Sequence, residues 1–324
     1  MSLPRLALLL IMTAVLTLPG QRAAAEDYPS RTVKIIAPFG AGGPTDVYTR
    51  IISQELQKAL GQPFIVENRP GAGTTIGTEY VAKAAPDGYT LLMVSGTQTV
   101  NETLYTQKNY HLMTDLVPVA ALIDTDLVLV VNPSVPVKNV AELIALAKAK
   151  PGTLNFGSSG PGSNYHMAGE LLKSLTGIDI VHVPYKGSTG MRTDILSGQI
   201  QILFDSVPTM AALVKDGRVR ALGTSGKTRS TILPDVPTIA DTVPGFNATL
   251  WVGFMAPAGT PQPIVDKLNS EINKILSRPD IKTAWGKEGA APFIMTQPQY
   301  KAFMDEQVAK WAKVIHDNHI ALIK

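Results

Sequence analysis

The stretch PFGAGGPTD, Pro38–Asp46, sets three glycines and two prolines between a strand-like run, Val33–Ala37, and a helix-like run, Asp46–Leu60. Glycine lets a backbone come close to a ligand, and the leading N–H groups of a helix favour negative charge. The amides of Gly42, Gly43 and Thr45 can face one point, with Thr45 or Asp46 capping the helix. What they would hold is a phosphate, a carboxylate or nothing. Further along, SSGPGSN repeats the scheme and adds the hydroxyls of Ser158, Ser159 and Ser163.

The neighbouring chemistry narrows the choice. A dinucleotide fingerprint needs a third glycine where this chain has Thr45, and no run matches a P-loop. The serine elbow G-x-S-x-G fails at Pro161 in GSSGP. His111, His166 and His182 are scattered, and His316 with His319 lacks carboxylate company, so no metal cluster is expected. There is no cysteine, which removes thiol catalysis and disulfides. What remains is a set of donors without a catalyst. One helix N-terminus contributes about 0.3–1 kcal/mol towards an anion. A hydrogen bond to a charged group contributes about 1.5–3 kcal/mol, and micromolar binding needs about 8 kcal/mol. Both glycine loops acting on one ligand could reach that figure; either alone falls short.

Two similar units position these loops. VKIIA (Val33–Ala37), FIVEN (Phe64–Asn68) and YTLLMVS (Tyr89–Ser95) are unbroken strand-like runs separated by helical periods, the pattern of a parallel sheet covered on both faces. The first helix places Val47, Ile51, Ile52, Leu56 and Leu60 on one side and ends at Gly61. The second unit follows the same order: a strand within Thr153–Ser158, a glycine loop, a helix with Met167, Leu171, Leu172 and Leu175 inward, Gly177, then IDIVHVPY (Ile178–Tyr185) and KGSTG. The separations 177 − 61 and 187 − 71 are both 116, so Gly61 and Gly71 have counterparts in Gly177 and Gly187. TDLVLVVNP (Thr125–Pro133) would carry the chain into the second lobe and LWVGFMAP (Leu250–Pro257) would bring it back. Two such crossings make a hinge. The expected division is 26–127 with 250–324 as lobe one and 128–249 as lobe two. The tail adds two amphipathic helices whose apolar stripes, including Trp311, read as core.

Residues 1–25 read as a secretory signal: Arg5, an apolar Leu6–Leu18 run, and Ala23–Ala25 for cleavage. The run is too short to span a bilayer, so export without membrane insertion is expected. Without Arg5 and Arg22 the acidic and basic counts nearly balance, which gives no support to nucleic-acid binding.

Six segments carry a specific resemblance: YPSRTVKIIAPFGAGGPTDVYTR, VENRPGAG, AAPDGYTLL, VPYKG, LPDVPT and WVGFMAPAGTP. Together they resemble the Bug-type extracytoplasmic solute receptors of the tripartite tricarboxylate transporter family, over nearly all of the chain after residue 25. The resemblance implies a two-lobed periplasmic binding-protein fold (type II-like), with mainly parallel sheets flanked by helices. It implies a monomer without cofactor that captures a small organic carboxylate and delivers it to a two-component integral membrane permease. The loop Phe39, Gly40, Ala41, Gly42, Gly43, Thr45 and Asp46 would form half of a carboxylate cradle; Ala41 stands where the family often has proline. Ser95 and Thr97 in SGTQT would supply a second contact from lobe one. Ser158, Ser159, Gly160, Ser163 and His166 would face the ligand from lobe two, beside Tyr185, Lys186 and Gly187 of VPYKG. Asp205, ending IQILFD, would accept from a ligand hydroxyl or ammonium. Glu67, Asn68 and Arg69 would support the loop Gly71–Gly73. The competing readings are a periplasmic co-receptor for a sensor kinase and a secreted hydrolase, the latter needing an acid–base pair in the cleft. Dicarboxylates, tricarboxylates, aromatic acids, acidic amino acids and nicotinate-like acids all remain compatible.

Overall fold

The computed structural model describes residues 28–287 and 289–324; the expected signal segment lies outside them. The chain opens with β1 (Val33–Ala37), α1 (Pro44–Leu60), β2 (Phe64–Asn68), α2 (Thr75–Ala82), β3 (Thr90–Ser95), α3 (Gly96–Leu104), α4 (Leu112–Asp115) and β4 (Leu116–Thr125). It continues through β5 (Leu127–Val131), α5 (Val140–Ala149), β6 (Asn155–Ser158), α6 (Asn164–Thr176), β7 (Val181–Pro184), α7 (Ser188–Ser197), β8 (Ile202–Ser206), α8 (Val207–Lys215) and β9 (Arg220–Thr224). It closes with β10 (Leu250–Pro257), α9 (Gln262–Ser277), α10 (Pro279–Lys287), β11 (Ala290–Pro292) and α11 (Gln297–Asp317).

These strands form two sheets, β11-β4-β10-β3-β1-β2 and β7-β6-β8-β5-β9. The sheets are mixed rather than mainly parallel. β1 pairs parallel with β2 and β3, and β6 with β7 and β8, but β10, β11 and β5 pair antiparallel with their neighbours. The crossings dictate this. The chain leaves the first sheet at the end of β4 and returns at the start of β10, where Leu250 lies opposite Thr125. Neighbouring strands that exit and return at one end of a sheet must run in opposite directions. Asp126 alone separates β4 from β5, and Leu127 already pairs with Ser206 in the second sheet.

The repeat seen in the sequence is a repeat of backbone geometry. Gly61 and Gly177 both end helices in the left-handed conformation, at φ 72° and 67°, each donating its N–H to the carbonyl four residues back. Glycine enters that region without a Cβ penalty. Ile52 and Leu56 on α1, and Met167, Leu171 and Leu172 on α6, are buried as their spacing predicts. Val47 and Leu175, expected inward, are each 43% exposed because they sit at the margins of their stripes. The tail holds three helices rather than two. α10 escapes the periodicity because only Ile281 and Trp285 turn inward. α11 packs on α3 and β4 of the first lobe and also on α6 of the second. Beyond its end, the Asn318 side-chain amide donates to the Glu170 carbonyl, a further tie between the lobes.

Candidate functional site

A cleft of ≈ 670 Å³ opens between the lobes, and helix starts converge on its wall. From lobe one come the β1–α1 loop and the start of α3; from lobe two come the starts of α6 and α7. Two of these starts are closed by their own side chains. Ser95 and Gln98 form a capping box on α3, and the Ser163 hydroxyl accepts from the His166 amide on α6. The other two are open. Gly43 caps α1 and Gly187 caps α7, and neither helix start has a side-chain cap bond. The helix start expected at Asp46 therefore lies at Pro44, and neither Thr45 nor Asp46 caps it. Leading N–H groups without an internal partner need water or a ligand. One such open end per lobe faces the cleft.

Asp46 holds the first of these loops. It is 2% exposed and accepts from the Gly42 amide at 2.9 Å, Arg50 Nε at 2.9 Å and Asn68 Nδ2 at 2.8 Å. Asn68 Nδ2 also donates to the Phe39 carbonyl at 3.1 Å. Burial pushes the Asp46 carboxyl up, but hydrogen bonds from Arg50, Gly42 and Asn68 outweigh it and hold it below the ordinary carboxylate range. At the cleft floor the lobes touch closely. A Cβ on Gly96 would lie 2.6 Å from Asn164 Oδ1, so any larger residue would have to displace that side chain where the starts of α3 and α6 meet.

Among the residues singled out from sequence, Phe39, Gly40, Ala41, Gly42, Gly43, Thr45, Ser95, Thr97, Ser159, Ser163 and Gly187 line the cleft. The Gly42 amide is already spent on Asp46, which leaves Gly43 and Thr45 as the open donors of that loop. Seven others are not on the wall. Asp46 points back to brace the loop. Ser158 is buried in β6, with its hydroxyl 2.6 Å from His182 Nε2. Gly160 shapes the turn, with φ +129°, behind Ser159. His166 is 4% exposed; its Nδ1 accepts from the Gly162 amide at 3.2 Å, and its ring stacks on His182 at 3.9 Å. Burial and the neighbouring His182 push its pKa down to about 3, so it carries no positive charge for a ligand. Tyr185 donates to Asp194 at 2.6 Å, and Lys186 is exposed outside the cleft.

Asp205 is the largest correction. It is fully buried, and its carboxylate receives a two-pronged contact from Arg192, at 2.6 Å from Nε and 3.0 Å from Nη2, plus the Ser206 amide at 2.7 Å. Fully buried and so engaged, it does not line the cleft. It presents Arg192 instead, and Arg192 lines the cleft. Tyr165, also on the wall, lies against both members of the pair. Sequence reasoning missed Arg192, Tyr165, Asn164, Thr189 and Thr74. It also left Gly71 outside the contact set, although the 116-residue repeat pairs it with Gly187 and both line the cleft.

A larger cavity of ≈ 820 Å³ lies beside the crossings, among Asp124, Asp126, Lys227, Arg229 and Glu306. Its walls carry charges of both signs, and the nearby start of α11 is closed by a Thr296–Gln299 capping box. Its Lys227, Arg229 and Lys282 are offset by Asp124, Asp126 and Glu306 on the same walls. Among the described residues no group of three or more His, Asp or Glu is placed to hold a metal. No described helix is long and apolar enough to cross a membrane.

Comparison with known proteins agrees with this geometry. BugT of Bordetella pertussis is 39% identical over 310 residues, covering 95% of this chain and 94% of that protein. The R. palustris protein Rpa4515, solved with adipate, superposes with a TM-score of 0.81 at 34% identity, covering 92% of this chain and all of that one. The periplasmic binding protein BugD superposes at 0.78 with 30% identity, covering 91% of this chain and all of that one. The fold is thus the two-lobed α/β periplasmic binding-protein fold. The family model for the tripartite tricarboxylate transporter family receptor matches residues 48–320, and the chain belongs to that family of Bug-type solute-binding receptors.

Proposed function

We propose that this protein captures a small organic carboxylate between its lobes in the periplasm and hands it, unreacted, to a two-component integral membrane permease. The observation that carries this reading is the pair of uncapped helix starts, at Gly43 and Gly187, one from each lobe, on a shared cleft. The described lining contains no histidine and no carboxylate, which supports binding without acid–base turnover. The adipate bound by Rpa4515 supports the carboxylate class, and family membership supports the permease as recipient. The crossings at Asp126 and Leu250 would act as the hinge, with 26–127 plus 250–324 closing on 128–249.

Thermal-shift screening of the protein from residue 26 onward against aliphatic and aromatic acids tests the reading. A ligand at about 100 times its Kd stabilises by about 2.7 kcal/mol, which raises Tm by several degrees. Failure of every carboxylate, with a shift from some uncharged solute, refutes it.

A further inference from the structure

Arg192 is the single charged side chain among the described residues lining the cleft. It stands one turn into α7, above the open helix start at Gly187. Its side chain keeps 29% of its surface exposed, while that of Asp205 keeps none. Asp205 takes two of the five N–H groups a guanidinium carries. The fork fixes the plane of the group; Tyr165 engages it as well, and the part that stays exposed has N–H donors left to offer. The Asp205 carboxylate outweighs the effect of burial and keeps Arg192 charged.

An ammonium meets the opposite situation. Asp46 is engaged by three donors and Asp205 by Arg192 and Ser206, both facing away from the cleft. Among the described residues no carboxylate lines the cleft, and a desolvated ammonium without one is strongly disfavoured. We infer that Arg192 sets the ligand class: the cleft takes small dianionic dicarboxylates, one carboxylate on the open α1 start and the other on Arg192 beside the α7 start, and rejects acids that carry an ammonium. This rests on the carboxylate-receptor reading above and narrows it.

The test is calorimetric titration of the wild type with aliphatic dicarboxylates of four to six carbons and benzene dicarboxylates. Each is paired with its mono-amide, and glutarate is also compared with glutamate. The expected result is that the best dicarboxylate binds about 10- to 100-fold tighter than its mono-amide, the range for one charge-assisted hydrogen-bonded contact. Glutamate should be weaker than glutarate. Arg192→Leu alone would leave Asp205 buried and unpaired, so the variant used is Arg192→Leu with Asp205→Asn, which retains an acceptor for the Ser206 amide. It should fold and bind diacid and mono-amide equally. Arg192→Lys should keep part of the preference.

A wild type that binds acids but does not separate diacid from mono-amide, or that prefers glutamate, overturns the inference and leaves the receptor reading standing. A double variant that keeps the full preference also overturns it. A wild type that binds none of these acids in any form overturns both.

Discussion

Asp46→Ala tests whether a buried carboxylate, rather than the glycines alone, builds the lobe-one half of the cleft. The substitution removes three hydrogen bonds to a carboxylate that is 2% exposed. The bonds from Gly42 and Asn68 are worth about 1.5–3 kcal/mol each. Arg50 has a side chain 44% exposed, so its share is discounted to a surface pair's ~0.5–1 kcal/mol. Because the loop relaxes and water replaces part of the network, the expected net loss is about 3–4 kcal/mol. For a chain of this size that lowers Tm by roughly 6–12 °C. Ligand affinity should fall about tenfold or more as the Gly40–Gly43 turn loses its anchor.

The pH dependence has a definite sign. The folded pKa of Asp46 lies below its ordinary value, so its stabilisation is present above the unfolded value of about 3.9 and is lost as pH falls through the folded one. The gap between wild type and variant, followed by urea denaturation, should therefore persist from neutral pH down to about 4 and close below it. An Asp46→Ala protein that melts within about 2 °C of wild type and binds equally well would refute the reasoning.

Three further outcomes are expected. Gly71→Ala and Gly187→Ala force a Cβ into φ +136° and +100° on the cleft wall, costing about 1–3 kcal/mol each and weakening binding, as calorimetry would show. Gly245→Ala, with φ +86° but no place in the cleft, should cost comparable stability and leave affinity intact; equal affinity losses for all three variants would count against the site. Asp126→Asn should stabilise the protein at pH 8 by about 1–2 kcal/mol. Burial, with Asp124 nearby, pushes the Asp126 carboxyl up to about 6, so the penalty of ionising it is full above that pH and relieved as pH falls towards 4. An advantage that is the same at pH 8 and pH 4 would contradict this. Saturating ligand should also reduce the radius of gyration in solution scattering, and an unchanged radius would argue against hinge closure.

Much of the architecture was readable because it follows from local rules. Gly61 and Gly177 announce left-handed helix ends wherever they follow an apolar helical period, and Ile52 or Leu171 shows its burial by spacing alone. The parallel pairs β1–β2 and β6–β7 follow from strand–helix–strand order. Strand direction at the crossings was not readable, because the antiparallel pairing of β4 with β10 joins segments far apart in sequence and depends on where the chain re-enters the sheet.

The donor-rich character of the site follows from the sequence alone: glycine loops before two helices, placed in equivalent positions of a repeat. Which donors stay free was decided only in three dimensions. The Gly42 amide turns inward to Asp46, Ser158 and His166 are taken up by His182 and Gly162, and Asp205 closes on Arg192. Whether a polar group faces a ligand or a neighbour depends on what lies within about 3 Å of it. For Asp205 that neighbour sits on another element, thirteen residues away and in contact only because α7 lies across β8.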